Sequence, residues 1–242
     1  SIADPSVFVR TNVLGVQSLL EACRKHGVAR FHQVSTDEVY GEIPRGVEGM
    51  AFSERSKLNP SSPYAASKAS ADLLALAWHK TYGMHVTVSR SSNNYGPYQF
   101  PEKLIPLAIV RAVKGQPIPV YGDGANVRDW LYVSDHCAAV DLIVRRGRAG
   151  EVYNVCGGEE RTNLETVGAV AALVGRGEIE FVADRPGHDF RYAADSAKLR
   201  EELGFSPAVA FGEGIRRTVG WYLSHRDWWE NILSGKYRKF RR

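Results

Sequence analysis

Two short apolar runs, residues 29–34 and 85–90, bracket a helical pattern over residues 63–82 that carries Leu73, Leu74, Leu76, Ala77 and Trp78 and stops before Gly83. A strand, a helix and a strand in that order specify a parallel pair joined by a crossover helix, the repeating unit of an α/β sheet. Another helix precedes them. Asp4 can cap it, Pro5 suits its first turn, and Val9, Val13, Val16, Leu20 and Cys23 recur at helical spacing until Gly27. In an open sheet of this kind ligands bind beyond the carboxyl ends of the strands, which here are residues 35–38 and 91–96.

Those ends carry chemistry. Ser35-Thr36-Asp37-Glu38-Val39-Tyr40 places two adjacent carboxyls at the first, and a polar connection over residues 41–62, rich in Gly, Pro and Ser, leads to Tyr64-Ala65-Ala66-Ser67-Lys68. Tyr64 and Lys68 stand at i and i+4 on one helical face, where an ammonium can stabilise a phenolate and draw the tyrosine below its free value of ~10. Such a tyrosine can take a proton from a sugar hydroxyl, as hydride loss to a nicotinamide requires. The carboxyl pair adds a base and an acid, which a simple alcohol dehydrogenase would not need.

Beyond Pro97 the elements become shorter: a helix over 101–114, a strand over 118–121, a Gly122-Asp123-Gly124 turn, a strand over 127–132, a helix over 134–146 and a strand over 151–155. Thr162 and Glu165 have capping-box spacing and open a helix to Val174. A strand over 179–182, a loop over 184–189 and helices near Ala197 and Ile215 complete the pattern. A dinucleotide fold also needs a strand, a Gly-rich turn and a helix whose N-terminus receives the pyrophosphate. These residues contain no such unit, since Gly157-Gly158 lies too late and lacks the third glycine. The expectation is a further N-terminal segment that begins with a strand and a Gly-x-x-Gly-x-x-Gly turn.

The order of motifs resembles the extended short-chain dehydrogenase/reductase family, and within it the dTDP-glucose 4,6-dehydratases. The resemblance runs from Ser1 to about Tyr237 and is carried by residues 35–41, 62–68 and 92–98 (Ser-Asn-Asn-Tyr-Gly-Pro-Tyr), with 100–106, 128–133 and 184–189 (Asp-Arg-Pro-Gly-His-Asp) further on. Sister enzymes that epimerise or decarboxylate nucleotide sugars commonly replace the aspartate at position 37, so Asp37 discriminates. The implied fold is a Rossmann-like doubly wound parallel sheet, its N-terminal strands missing, with a smaller α/β substrate-binding domain. Residues 1–100 would be the remainder of the NAD-binding domain with the catalytic groups. Residues 101–242 would mainly bind the nucleotide sugar, with some segments returning to the Rossmann sheet.

The resemblance implies a role for each residue. Tyr64, held by Lys68, takes the proton of the sugar's 4-hydroxyl while NAD accepts hydride from carbon 4. Glu38 removes the carbon 5 proton, Asp37 protonates the departing 6-hydroxyl, and Thr36 orients the 4-oxygen. Like-charge repulsion favours one ionised and one protonated carboxyl. Thr11, Asn94, Tyr64 and Lys68 would contact NAD. Thr36, Asn93, Lys103, Leu104, Pro119, Val120, Tyr121, Arg128, Asn163, Asp184, Arg185, Pro186, Gly187, His188 and Tyr237 would line the nucleotide-sugar site. Arg128 suits a diphosphate because a guanidinium forks onto two oxygens. The bland alternatives are that Asn163 follows a helix cap, Arg185 stabilises its loop and Tyr121 is core.

Composition narrows the partners. Lys and Arg exceed Asp and Glu by 31 to 27, a net charge of +4, partly in the tail over residues 236–242. That tail is read as solvated rather than as a grip on nucleic acid, and no nucleic-acid partner is expected. No apolar run approaches transmembrane length and no secretory leader is evident, so a cytoplasmic protein without a membrane partner is expected. Cys23, Cys137 and Cys156 are widely spaced within apolar patterns and are expected as buried free thiols; no metal is expected. Apolar faces near residues 5–26 and 63–82 could form the four-helix contact of a homodimer that the resemblance implies. The rival readings are a sister epimerase or decarboxylase and a non-catalytic sugar-nucleotide binding module.

Overall fold

The computed structural model describes residue 2 and residues 4–235. The chain opens with α1 (Pro5–Phe8), a π-helical stretch (Val9–Leu14) and α2 (Gly15–Lys25), then β1 (Phe31–Thr36) and a 3-10 turn (Asp37–Tyr40). Next come α3 (Pro63–Tyr82), β2 (Val86–Ser91), β3 (Asn93–Tyr95), α4 (Leu104–Val113), β4 (Ile118–Tyr121) and β5 (Val127–Tyr132). The order finishes with α5 (Val133–Arg146), β6 (Val152–Val155), β7 (Glu160–Thr162), α6 (Asn163–Val174), β8 (Ile179–Val182), α7 (Ala197–Leu203), α8 (Phe211–Ser224) and α9 (Arg226–Leu233). No described helix is long and apolar enough to cross a membrane.

Local chemistry explains the helix ends. Ser62 caps α3 by accepting the Ala65 N–H at 3.1 Å, Pro63 fills its first turn, and Gly83 ends it at φ 68°. At α6 both halves of the capping box form: Thr162 Oγ1 accepts the Glu165 N–H at 3.1 Å, and Glu165 Oε2 accepts the Thr162 N–H at 2.8 Å. The single helix expected from Pro5 until Gly27 is instead interrupted by the π-helical stretch over Val9–Leu14. Its π stretch lets the Asn12 amide donate to Ser67 Oγ at 2.9 Å, and Ser67 Oγ donates in turn to the carbonyl of Tyr64 at 2.7 Å.

The sheet β1-β2-β6 is parallel throughout. Its register pairs Thr36 with Ser91 and Ser91 with Val155, so the chain leaves all its strands at one edge. Asp37, Ser92 and Cys156 therefore emerge side by side. A second sheet, β3-β5-β7, runs β3 parallel and β7 antiparallel to β5, and a third pairs β4 with β8 in parallel. The β4–β8 register matches Tyr121 with Val182, which brings the 122–123 turn beside Asp184. Apolar burial follows this layout: α4 hides Ile105, Ala108, Ile109, Val110, Ala112 and Val113 against β4, α6 and α8. Each of the isoleucines and valines contributes about 1.5–3 kcal/mol on full burial.

A charged pair lies inside the first layer. Arg90 Nε donates to Asp72 Oδ2 at 2.9 Å and its Nη1 donates to the Tyr40 hydroxyl at 3.0 Å, while that hydroxyl donates to Asn154 Oδ1 at 2.7 Å. Arg90 is 3% and Asp72 0% exposed, so removing one partner strands a buried charge. Arg90→Met in the full-length protein should cost about 3–5 kcal/mol in urea unfolding. Asp72→Leu combined with Arg90→Met should recover most of that loss.

Several expectations shift. The first strand starts two residues late, at Phe31, and runs through Thr36, because its pairing partner β2 begins at Val86. Residues 93–95, expected as a strand end, make their own strand against β5. The helix expected from 101 starts at Leu104, and β7 and α9 were not anticipated. Cys156 is buried and Cys23 partly so, but Cys137 is exposed, since it lies on the outward side of α5. Tyr237 and the basic tail lie outside the described residues.

Candidate active site

Asp37 and Glu38 occupy the 3-10 turn that follows β1. Thr36 accepts the Glu38 N–H at 3.3 Å through its hydroxyl, which also donates to Asp37 Oδ1 at 3.4 Å. The turn ends at Gly41, φ 86°, where a Cβ would stand 2.2 Å from the carbonyl oxygen of Asn59; only glycine lets the 41–62 connection leave there. Tyr64 sits in the first turn of α3, its ring edge-on to Phe8 at 5.7 Å between centroids.

The neighbouring carboxyls differ in surroundings. Asp37 is 3% exposed and its Oδ2 has no hydrogen-bond partner. Burial, then the charges of Glu38 and Asp129, push its acid up to about 8. Burial also raises Glu38, but Arg128, Lys103 and Arg185 oppose the rise while Asp189 adds to it. At neutral pH the raised Asp37 favours its protonated form, and Glu38 is the carboxyl on which three cations act. Tyr64 departs from expectation. Burial and the facing Glu38 and Asp37 push its hydroxyl up to about 12, and the Lys68 ammonium donates to the Val34 carbonyl at 2.6 Å.

Around this pair the structure gathers Thr36, Asp37, Glu38, Tyr64, Lys103, Arg128 and Arg185 within electrostatic reach. Arg128 is buried, and its Nη1 and Nη2 donate to the carbonyls of Val127, Phe190 and Asp189 at 2.7, 3.1 and 2.8 Å. Its guanidinium lies over the Tyr192 ring at 4.5 Å. Asn94, in β3, donates to the Ser92 carbonyl at 3.1 Å, and its Oδ1 is buried without a partner. Thr11 is exposed on the π stretch, Asn93 is half-buried in β3 and Leu104 half-buried at the start of α4.

A second group of expected residues stands together at the β4–β8 edge. Asp184 Oδ1 lies 2.7 Å from His188 Nδ1, and Tyr121, which is 41% exposed and so not core, meets the His188 ring edge-on at 6.2 Å. Arg185, Pro186 and Gly187 form the exposed loop between them. Pro119 is half-buried. Val120 is 1% exposed with its side chain in the core, so it can meet a ligand only through its backbone. Asn163 is buried directly after the Thr162 cap, its N–H donating to the Asn126 carbonyl at 2.9 Å.

Sequence reasoning missed the supports. Asp189 accepts from the Tyr192 hydroxyl at 2.5 Å and from Ser61 Oγ, which ties the 184–189 loop to the connection before α3. Asp129 accepts the N–H groups of Gly157 and Glu159, both at 2.7 Å. Both aspartates lie inside the quoted motifs, but apart from Tyr192 their partners are 28 to 128 residues away in sequence, and no spacing rule reaches that far.

Comparison with known proteins places the chain. The family described as GDP-mannose 4,6 dehydratase matches residues 1–218. A dTDP-glucose 4,6-dehydratase from Streptomyces niveus is 55% identical over 236 residues, covering 97% of this chain and 69% of that protein. The crystal structure of a dTDP-glucose 4,6-dehydratase from Streptomyces venezuelae with NAD bound is similar at a TM-score of 0.92 and 50% identity, covering 96% of this chain and 71% of that one. A UDP-glucose 4-epimerase from Thermus thermophilus in complex with NAD is similar at 0.83 and 36% identity, covering 88% and 70%.

Proposed function

This chain belongs to the nucleotide-sugar dehydratase family described as GDP-mannose 4,6 dehydratase, among the extended short-chain dehydrogenases/reductases, and we propose that it converts dTDP-glucose to dTDP-4-keto-6-deoxyglucose. The observation that carries this reading is the carboxyl pair facing Tyr64: one member sealed and protonated, its neighbour flanked by cations. An epimerase needs no acid at that place. An elimination of water needs an acid for the oxygen and a base for the carbon.

NAD fits the residues present, since Asn94 Oδ1 is an orphaned acceptor at the carboxyl edge of the sheet and α3 carries the donors of Tyr64 and Lys68, the latter against the Val34 carbonyl of β1. Thr11, Asn94, Tyr64 and Lys68 would hold it. When bound it supplies an acceptor for the hydride of carbon 4 and returns that hydride to carbon 6. Tyr64 accepts the proton of the 4-hydroxyl, and Thr36 hydrogen-bonds the same oxygen. Glu38 takes the proton from carbon 5, which the neighbouring ketone has acidified. Asp37 gives its proton to the 6-hydroxyl, which leaves as water.

The remaining assignments follow from this reading. Residues 1–100 serve the cofactor and the proton transfers, and residues 101–242 mainly the nucleotide sugar. Lys103 and Arg185 supply cations for the diphosphate, together with Arg128. The Tyr121, Asp184 and His188 cluster receives the nucleotide. A homodimer is supported by exposed apolar side chains on α1, the π stretch, α2 and α3, namely Val7, Val9, Leu14, Leu19 and Leu73. A cytoplasmic setting agrees with the substrate class. The test is isotopic: dTDP-glucose deuterated at carbon 4 should yield product labelled at carbon 6. Label found in solvent, or a 4-epimer as product, would overturn the reading.

A further inference from the structure

A cavity of about 380 Å³ opens at the β4–β8 edge, lined by Asp123, Asn126, Asp184, His188, Phe190 and Arg45. Arg45 comes from the 41–62 connection, to which neither the motifs nor the resemblance assigns a role. Its place is built. Ile43 is fully buried and donates its N–H to the Arg191 carbonyl at 3.0 Å, and Glu42 Oε1 accepts the Phe190 N–H at 2.6 Å. These contacts lay the connection along residues 190–191 and set the Arg45 guanidinium over the Phe190 ring at 4.6 Å.

The opposite wall supplies a partner. Asp123 Oδ1 accepts the Ala125 N–H at 3.0 Å and closes its own turn, while Oδ2 accepts from Arg45 Nη2 at 2.7 Å. The pair spans the cavity from the first half of the chain to the second. Both side chains are more than half exposed, at 62% and 57%, so the bond is worth little and can be exchanged. Among the described residues lining the cavity, Arg45 shares the wall with two carboxylates, Asp123, which it holds, and Asp184. An anionic ligand entering there meets like charge unless Arg45 turns to it.

We propose that Arg45 is a further nucleotide-binding residue, parked on Asp123 and released to the diphosphate of an incoming nucleotide sugar. This rests on the functional reading above and adds to it a residue that tunes nucleotide affinity. The guanidinium is suited to the exchange because one donor holds Asp123 and the fork can close on two phosphate oxygens. Its stacking on Phe190 keeps it at the cavity while it changes partners.

Calorimetry on the full-length enzyme tests this with dTDP and with thymidine. Arg45→Ala should weaken dTDP by about 10- to 100-fold, the range of a charged hydrogen bond, and leave thymidine unchanged. Asp123→Asn keeps the Oδ1 acceptor for Ala125 but frees Arg45, and should tighten dTDP about 2- to 5-fold. A strut that merely holds the two walls together would make both variants weaker, which overturns the proposal, as does an unchanged Arg45→Ala. Wild-type enzyme that ignores dTDP would instead sink the functional reading itself.

Discussion

Tyr64→Phe should lower turnover of dTDP-glucose by about 10²- to 10⁴-fold, the usual contribution of a positioned acid or base. The reason is local. In the proposed mechanism its hydroxyl is the proton acceptor at the start of α3, where the charges of both Asp37 and Glu38 reach it. The substitution removes one oxygen and keeps the ring against Phe8, so the fold should persist. Because burial and two carboxyls push the hydroxyl up to about 12, Tyr64 becomes a competent base only as Lys68 and bound ligands offset those charges. Lys68→Met should therefore reduce turnover too and move the rate profile to higher pH. Product formation followed by mass spectrometry decides both. A Tyr64→Phe enzyme within tenfold of wild type would remove Tyr64 from the chemistry.

Glu38→Gln and Asp37→Asn should each cost about 10²- to 10⁴-fold, but differently. Glu38→Gln blocks loss of the carbon 5 proton, so exchange of that hydrogen with deuterated solvent should stop. Asp37→Asn slows departure of the 6-hydroxyl, and a 6-fluoro substrate should rescue it more than Glu38→Gln; equal rescue would contradict the assignment. Asp37 also sets a pH limit. Its folded value is raised to about 8, so the acid is present below that and lost as pH rises through it, giving the wild-type rate an alkaline fall near 8. Stability follows the same sign. Between an unfolded value of ~3.9 and about 8 the native state holds a proton the unfolded chain has lost, so stability falls with rising pH across that window and then levels. Asp37→Asn should abolish this slope and be more stable than wild type at pH 9 by a few kcal/mol, read from urea unfolding at pH 6 and 9. A parallel pH dependence in both proteins would show that Asp37 ionises normally.

The chain's own order of residues determined the class of fold and the identity of the chemistry. Strand-helix-strand spacing can be read locally, because a helix repeats every 3.6 residues and a strand every two, and the capping box at Thr162 and Glu165 is closed within one turn. The proposed catalytic set is read from the sequence for the same reason: Thr36 to Glu38 and Tyr64 to Lys68 are short runs whose chemistry is in the side chains themselves. Tertiary structure decided the rest. That Asp37 is pushed up to about 8, while cations oppose the rise at Glu38, depends on Asp129 and Arg128, some ninety residues downstream, and on burial that no local pattern encodes. Arg128 reads as a cation for phosphate, yet its forked donors are largely committed to three backbone carbonyls that only folding brings near. Tyr64 and Lys68 share a helix face, but the ammonium goes to Val34 and the charges of β1's turn govern the phenol. Side-chain identity is a property of the sequence; the field at each side chain sums over neighbours from every element, and those neighbours exist only in the fold.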